Sequence, residues 1–131
     1  MCKVGDIILV KEYKSDDVIL NKHSFIIIDD ENGKIQGLEY NFVCNVMSSF
    51  KDEKQKLKKL SYPGNFEVHN KETSTDRNNG KDGFVKADQF YYFNKDKLNY
   101  ERIGNIDEDF LKRLFEFIES LDQIEEIIDN L

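Results

Sequence analysis

The chain is expected to be a mainly β domain closed by a C-terminal helix. Short apolar runs, several of them β-branched, recur at close spacing through the first hundred residues. Gly, Asn, Asp and one Pro-Gly pair punctuate them, and only after Asp107 do apolar residues keep helical spacing over a long stretch. Short strands followed by one terminal helix predict a small β-barrel or curled sheet of about six or seven short, mostly antiparallel strands with a helical cap. At 131 residues the chain reads as one domain, 1–131, able to bury a core without disulfide staples.

Taken in order, Gly5 leads into Asp6-Ile7-Ile8-Leu9-Val10 and then Lys11-Glu12-Tyr13, a strand that starts buried and ends polar. Lys14 to Asp17 is a polar turn. Val18 to Leu20 is an edge strand or the flank of a loop. Phe25 to Ile28 is an unbroken apolar run, too short for a helix, and predicts a fully buried central strand. The polar residues before it, Asn21, Lys22, His23 and Ser24, put His23 at the lip of that strand, where it leaves a solvent-facing loop. Glu31-Asn32-Gly33 predicts a hairpin turn. Leu38 to Met47 is the returning strand, with Ser48 and Ser49 at its end.

Lys51 to Leu60 holds five lysines around Leu57 and Leu60, which suits a short exposed helix near 51–60. Tyr62-Pro63-Gly64-Asn65 is a turn, and Phe66 to His69 a strand of alternating faces. Asn70 to Gly83 is a long polar loop or hairpin tip. Phe84–Ala87 and Gln89–Phe93 are one bent strand or two joined at Asp88. Asn94 to Leu98 is a turn, and Tyr100 to Ile103 a last strand. Asp107 reads as the N-cap of a helix near 107–120, with Glu108 and Asp109 at the positive end of its dipole. Phe110, Leu114, Phe117, Leu121 and Ile124 keep one face at helical spacing. Asp122 either opens a second short helix at 122–130 or lies in a continuation of the first.

The net charge is −7, and it is uneven: residues 101–131 carry ten acidic and three basic side chains, so the first hundred residues balance. Non-specific nucleic-acid binding rests on Lys and Arg against phosphates, so only the modest basic excess of Ser48 to Tyr100 suits a short single strand. Cys2 and Cys44 read as free thiols rather than a disulfide framework. The two histidines, His23 and His69, have no metal-ligand spacing around them, so no metal or cofactor is expected. No apolar run approaches the roughly 20 residues that cross a bilayer. The N-terminal apolar stretch is interrupted by Asp6 with no small-residue cleavage site after it, so the expectation is a cytoplasmic protein with no membrane association.

Gly5-Asp6-Ile7-Ile8-Leu9-Val10, Tyr62-Pro63 with Phe66-Glu67-Val68, and Gly83-Phe84-Val85-Lys86-Ala87-Asp88-Gln89 together resemble the MazF/PemK family of bacterial toxins. A turn near Asp96-Lys97-Leu98, a short strand and a C-terminal helix complete the pattern. The likeness spans nearly the whole chain, its weight resting on the order and spacing of motifs. It implies an SH3-like barrel, cleavage of single-stranded RNA, a cognate antitoxin protein and a homodimer. The family's catalytic arginine and the proline after it fall on His23 and Ser24, and its threonine on Ser48, or on Ser49 if the register slips by one.

Metal-free RNA cleavage turns the ribose 2′-hydroxyl on the adjacent phosphate. It needs a base, an acid and a donor for the developing charge. An imidazole suits the proton transfers, since its unperturbed pKa is about 6.5, and Ser48 or Ser49 can donate to a phosphate oxygen. Lys22, Lys51 and Lys54 are candidates for binding the substrate as point charges, and the Ala-Asp-Gln motif adds Gln89. Against these stand plainer readings. A histidine at a strand entrance is usually an ordinary surface residue, the serines ordinary strand-end residues, and the lysines a solvated helix face. Asp88-Gln89 reads as structural, and Tyr91, Tyr92 and Phe93 as core and rim. The alternative function is a catalytically lapsed barrel that acts as a protein- or RNA-binding module. A gyrase-poisoning relative of the CcdB type is disfavoured because the chain has no tryptophan.

Overall fold

The computed structural model describes residues 2–75 and 82–131. Among them are eleven strands and two α-helices, so the protein is mainly β with an antiparallel sheet of many strands. β1 (Asp6–Ser15) and β2 (Val18–Asp29) form a long hairpin, paired from Ile7↔Ile26 to Ser15↔Val18. Its turn residues Asp16 and Asp17 both have left-handed backbones, with φ of 51° and 65°, the twist that suits a two-residue hairpin connection. β3 (Gly33–Ile35) and β4 (Leu38–Tyr40) make a small separate ribbon. β5 (Phe42–Ser49) returns along β2, and α1 (Glu53–Leu60) follows it.

β6 (Asn65–Val68) is followed by a 3-10 turn at Asn70–Glu72 and by β7 (Thr73–Thr75). β8 (Gly83–Lys86), β9 (Gln89–Phe93), β10 (Tyr100–Ile106), α2 (Glu108–Glu119) and β11 (Glu125–Ile127) complete the order. The main sheet runs β11-β9-β5-β2-β1-β10-β7, with β8 paired to β5 and β6 to β8. The expected polar loop at 70–83 has its middle, 76–81, outside the described residues.

The central run is buried on both faces, as its unbroken apolar character implies. Phe25 and Ile27 join Ile8, Val10, Phe42, Cys44, Tyr91 and Phe93 in one cluster. Ile26, their neighbour on the opposite face, joins Ile7, Val68, Val85, Ile106, Phe110 and Leu114 in the other. α2 covers this second cluster with Phe110 and Leu114, and Phe117 lies 4.8 Å from the Phe66 ring. α1 is different. Asp52 caps it by accepting the Gln55 N–H at 2.8 Å, none of its residues is buried, and Leu57 is 73% exposed.

Four expectations need correction. The strands number eleven among the described residues rather than six or seven, because the strand expected over Leu38 to Met47 breaks at Asn41 into β4 and β5, and further short strands arise at Gly33–Ile35, Thr73–Thr75 and Glu125–Ile127. Asn21 to Ser24 is not a loop but the middle of β2, because the whole of β1 pairs with it. The tight hairpin turn is at Gln36–Gly37, with φ of 51° and 81°, rather than at Asn32-Gly33. There the Asp29 side chain accepts the Glu31 N–H and ends β2 with a local turn, and the Asn32 side chain ties to Asn41.

The fourth correction concerns the second short helix at 122–130. The segment is instead β11, parallel to β9 from Glu125↔Gln89 to Ile127↔Tyr91. A helix this short is marginal in water, whereas the strand buries Ile127 in the first cluster. The last turn then reaches β1: the Asn130 amide accepts the Lys14 N–H at 2.6 Å and donates to the Lys14 carbonyl at 3.0 Å, as a neighbouring strand would. Among the described residues no helix is long and apolar enough to cross a membrane.

Candidate functional site

β2 outruns its partner β5. The β2–β5 ladder includes Ile27↔Cys44 and Phe25↔Val46 and stops at Ser24↔Met47, so Val18–His23 has β1 on one side and no strand on the other among the described residues. His23 lies at the point of divergence, opposite Val10 on β1. Its ring meets Tyr13 edge-to-face, with centroids 5.8 Å apart at 88°, and Nδ1 is 3.1 Å from the Tyr13 hydroxyl and 3.2 Å from the Asn21 carbonyl. Burial, and then the nearby Tyr91 phenol, pushes the Tyr13 hydroxyl up to about 12, so it keeps its proton at neutral pH. The Asn21 carbonyl can only accept, so it favours a proton on Nδ1 and leaves the lone pair on Nε2. Nε2 has no partner among the described residues.

Continuing the Ser24↔Met47 register by one step brings Ser48 level with His23. Side chains alternate along a strand, so Ser48 faces with Val46 and His23 with Phe25, the same side of the sheet. Ser49 faces the other way and is exposed. The strands have parted here, and no hydrogen bond joins His23 to Ser48. On its far side Ser48 pairs with Phe84, and Phe84 with Glu67. Glu67 in turn holds Lys56 of α1 at 3.3 Å. A Cβ at Gly83 would collide with the Ser48 carbonyl, so the closeness of β5 and β8 requires glycine there.

Beside this row is a cleft of about 270 Å³ between the Tyr62–Asn65 turn and the bend at Ala87–Asp88. The Gly64 carbonyl accepts the Ala87 N–H at 2.9 Å, and the Asn65 side chain reaches the Lys59 carbonyl at 2.8 Å. Asp88 lies so close over Gly64 that a Cβ there would strike its carboxylate. Lys59, Lys86 and Gln89 also line the cleft, with the Lys59 ammonium 5.9 Å from the centroid of the half-exposed Tyr62 ring. The Gln89 side chain donates to Glu125 at 3.0 Å. The Asp88 carboxylate has no hydrogen bond or ion pair among the described residues. Two ammonium groups, a half-exposed aromatic ring, an unpaired carboxylate and two amides therefore line one cleft. Such a surface can hold a phosphate, stack a base and accept from its edge.

The chain matches no family model and no curated protein.

Of the residues named from sequence, His23 and Ser48 come level on one face, and Gln89 lines the cleft. Ser49 does not join them. Lys22 is exposed on β2. Lys51 precedes the α1 cap, where its N–H donates to the Gln55 side chain at 2.6 Å, and Lys54 is exposed on α1. Neither Lys51 nor Lys54 lines the cleft. Sequence reasoning reached Lys59 only as one member of the Lys51 to Lys59 run, and passed over Tyr62, Lys86 and Tyr13. Lys59 and Tyr62 had a signal, a lysine run meeting an aromatic at the Pro-Gly turn. Tyr13 had none, because its contact with His23 depends on the β1–β2 register.

Proposed function

We propose that the protein is a MazF/PemK-like endoribonuclease toxin that cleaves single-stranded RNA without a metal. In this reading the curled sheet is an SH3-like barrel, and the protein is cytoplasmic, homodimeric and neutralised by an antitoxin. The observation that carries the reading is the His23 imidazole, anchored through Nδ1 with Nε2 unoccupied and level with the Ser48 hydroxyl. His23 Nε2 takes the proton from the ribose 2′-hydroxyl as that oxygen attacks phosphorus. The protonated ring then gives it to the leaving 5′-oxygen, leaving a 2′,3′-cyclic phosphate. Ser48 donates to a non-bridging phosphate oxygen, and Lys59 and Lys86 bind flanking phosphates.

The test is incubation of the protein with a long unstructured RNA in EDTA from about pH 5 to 8, beside His23→Ala and Ser48→Ala. Cleavage by the parent and none by His23→Ala is expected, and an uncut RNA across that range overturns the enzymatic reading. A second reading, a barrel that acts only by binding, is favoured by the exposed apolar side chains Val18 (55%) and Ile19 (61%) on the hairpin and Leu57 on α1. Growth arrest that survives His23→Ala but is lost with Val18→Ser/Ile19→Ser supports this second reading.

A further inference from the structure

Asn45 of β5 is fully buried, at 0% exposure, and with Asp6 is one of two buried polar or charged residues among those described. Its amide nitrogen donates to the Gln89 carbonyl at 2.9 Å, and its amide oxygen has no partner among the described residues. An apolar side chain of the same volume would remove that unpaired oxygen but would take the donor from the Gln89 carbonyl, exchanging one unpaired group for another. Burial does not explain why this carbonyl takes a side-chain donor.

Its place in the ladder does. β5 pairs Cys44 with Tyr91 and Met47 with Val85, so only Asn45 and Val46 face the five residues 86–90. That excess throws the chain outward as a bulge, a device that re-aims side chains. Lys86, Asp88 and Gln89, the polar wall of the cleft, all lie in it. From outside, the Glu125 N–H binds the Asp88 carbonyl at 2.8 Å and the Glu125 side chain takes the Gln89 amide. From inside, Asn45 is the side chain that grips the bulge.

We infer that Asn45 is a positioning residue of the cleft, holding the Asp88–Gln89 bend in the orientation that receives a single strand of RNA. This rests on the cleft being the RNA site. The role separates folding from binding: Asn45→Leu fills the same space, removes the unpaired oxygen and releases the Gln89 carbonyl.

The experiment measures affinity for a fluorescent unstructured oligoribonucleotide, together with thermal unfolding, for Asn45→Leu and Asn45→Thr in the parent and Gln89→Ala backgrounds. Asn45→Leu is expected to melt within about 4 °C of the parent and to bind about tenfold more weakly. Asn45→Thr, which keeps a donor, is expected to lose less. In the Gln89→Ala background the Asn45 changes are expected to cost less, because of the two side chains on the bend only Asp88 is left to be placed. Unchanged affinity in folded Asn45→Leu, or the same loss in both backgrounds, overturns the inference. Amide hydrogen exchange at 88–90 gives an answer that does not depend on RNA. If the parent binds no RNA, the cleft reading falls, but faster exchange confined to 88–90 in the variant still supports Asn45 as the grip. Unchanged exchange there overturns it, and Asn45→Thr supplies both readouts if Asn45→Leu does not fold.

Discussion

Tyr13 and His23, on neighbouring strands of one hairpin, share a contact of 3.1 Å between the phenol hydroxyl and imidazole Nδ1. Tyr13 is only 4% exposed, so the histidine is held by a group fixed in the core rather than by a mobile surface side chain. Tyr13→Phe keeps the ring packing and removes the hydroxyl. RNA cleavage is expected to fall about tenfold, the order at which loosening a proton-transfer group is felt. The rate should be read against pH, and an unchanged profile would separate Tyr13 from the site.

The same burial makes the fold sensitive to alkali. The Tyr13 pKa rises from 10.0 to about 12 on folding, so between those values the unfolded chain releases a proton that the folded chain keeps. Unfolding then releases protons, and stability falls as pH rises. The full contribution is present below about pH 10 and is lost toward about pH 12, on the order of 2 to 3 kcal/mol for the two-unit shift. Burial raises the buried Cys44 thiol and the Tyr92 phenol as well, and Tyr92 also donates to Glu126. Denaturant midpoints measured from about pH 8 to 11 should decline, and more shallowly for Tyr13→Phe.

Lys59 and Lys86 flank the cleft, and in the proposed function each phosphate they neutralise would release counterions. Removing either by Lys→Ala is expected to reduce the slope of log affinity against log salt by about 0.7, the value for single strands. Lys51→Ala, away from the cleft, is expected to change it less. Titrations of a labelled RNA at several salt concentrations check both.

Two glycines report on close approach. Gly83→Ala drives a methyl into the Ser48 carbonyl, a backbone atom that cannot swing aside. It is expected to cost on the order of 3 kcal/mol or more in chemical denaturation. Gly64→Ala meets the Asp88 side chain instead, so the carboxylate can turn away. The expected result is a smaller stability loss with a larger loss of RNA affinity.

The Asn130 amide makes both hydrogen bonds that a strand would offer to Lys14. Asn130→Ala is expected to lower stability by about 1 to 2 kcal/mol, two bonds at the usual net value. Thermal unfolding measures it, and a change below about 0.3 kcal/mol would mean that water substitutes for the amide.

What the sequence made legible follows from what each signal depends on. Periodicity is local, so the buried run at Phe25–Ile28, the α2 face through Phe110 and Leu114, and the exposed α1 could all be read from it. Turn chemistry is local too, but it misled at Asn32-Gly33, where the Asp29 and Asn32 side chains make their own contacts and the tight turn falls at Gln36–Gly37. The 122–130 segment was misread because Ile127 is buried by residues far away in sequence, which no window contains. For the candidate site, His23, Ser48 or Ser49, and Gln89 could be named from residue type and the order of motifs. Tyr13, Lys86 and Asn45 depend on register and on a bulge, and neither is visible before strands pair.

β11 and Asn130 carry one further consequence, for the time at which the protein takes shape. Lys14 and Asn130 are separated by 116 positions, and β11 pairs in parallel with β9 only after α2 has been made. The hairpin bearing His23 is therefore made long before its clamp, and the Gln89 bend well before Glu125. A chain under synthesis carries the proposed RNA site unfinished until residues 125–130 have followed, so the pieces that would touch RNA exist before the pieces that set their aim.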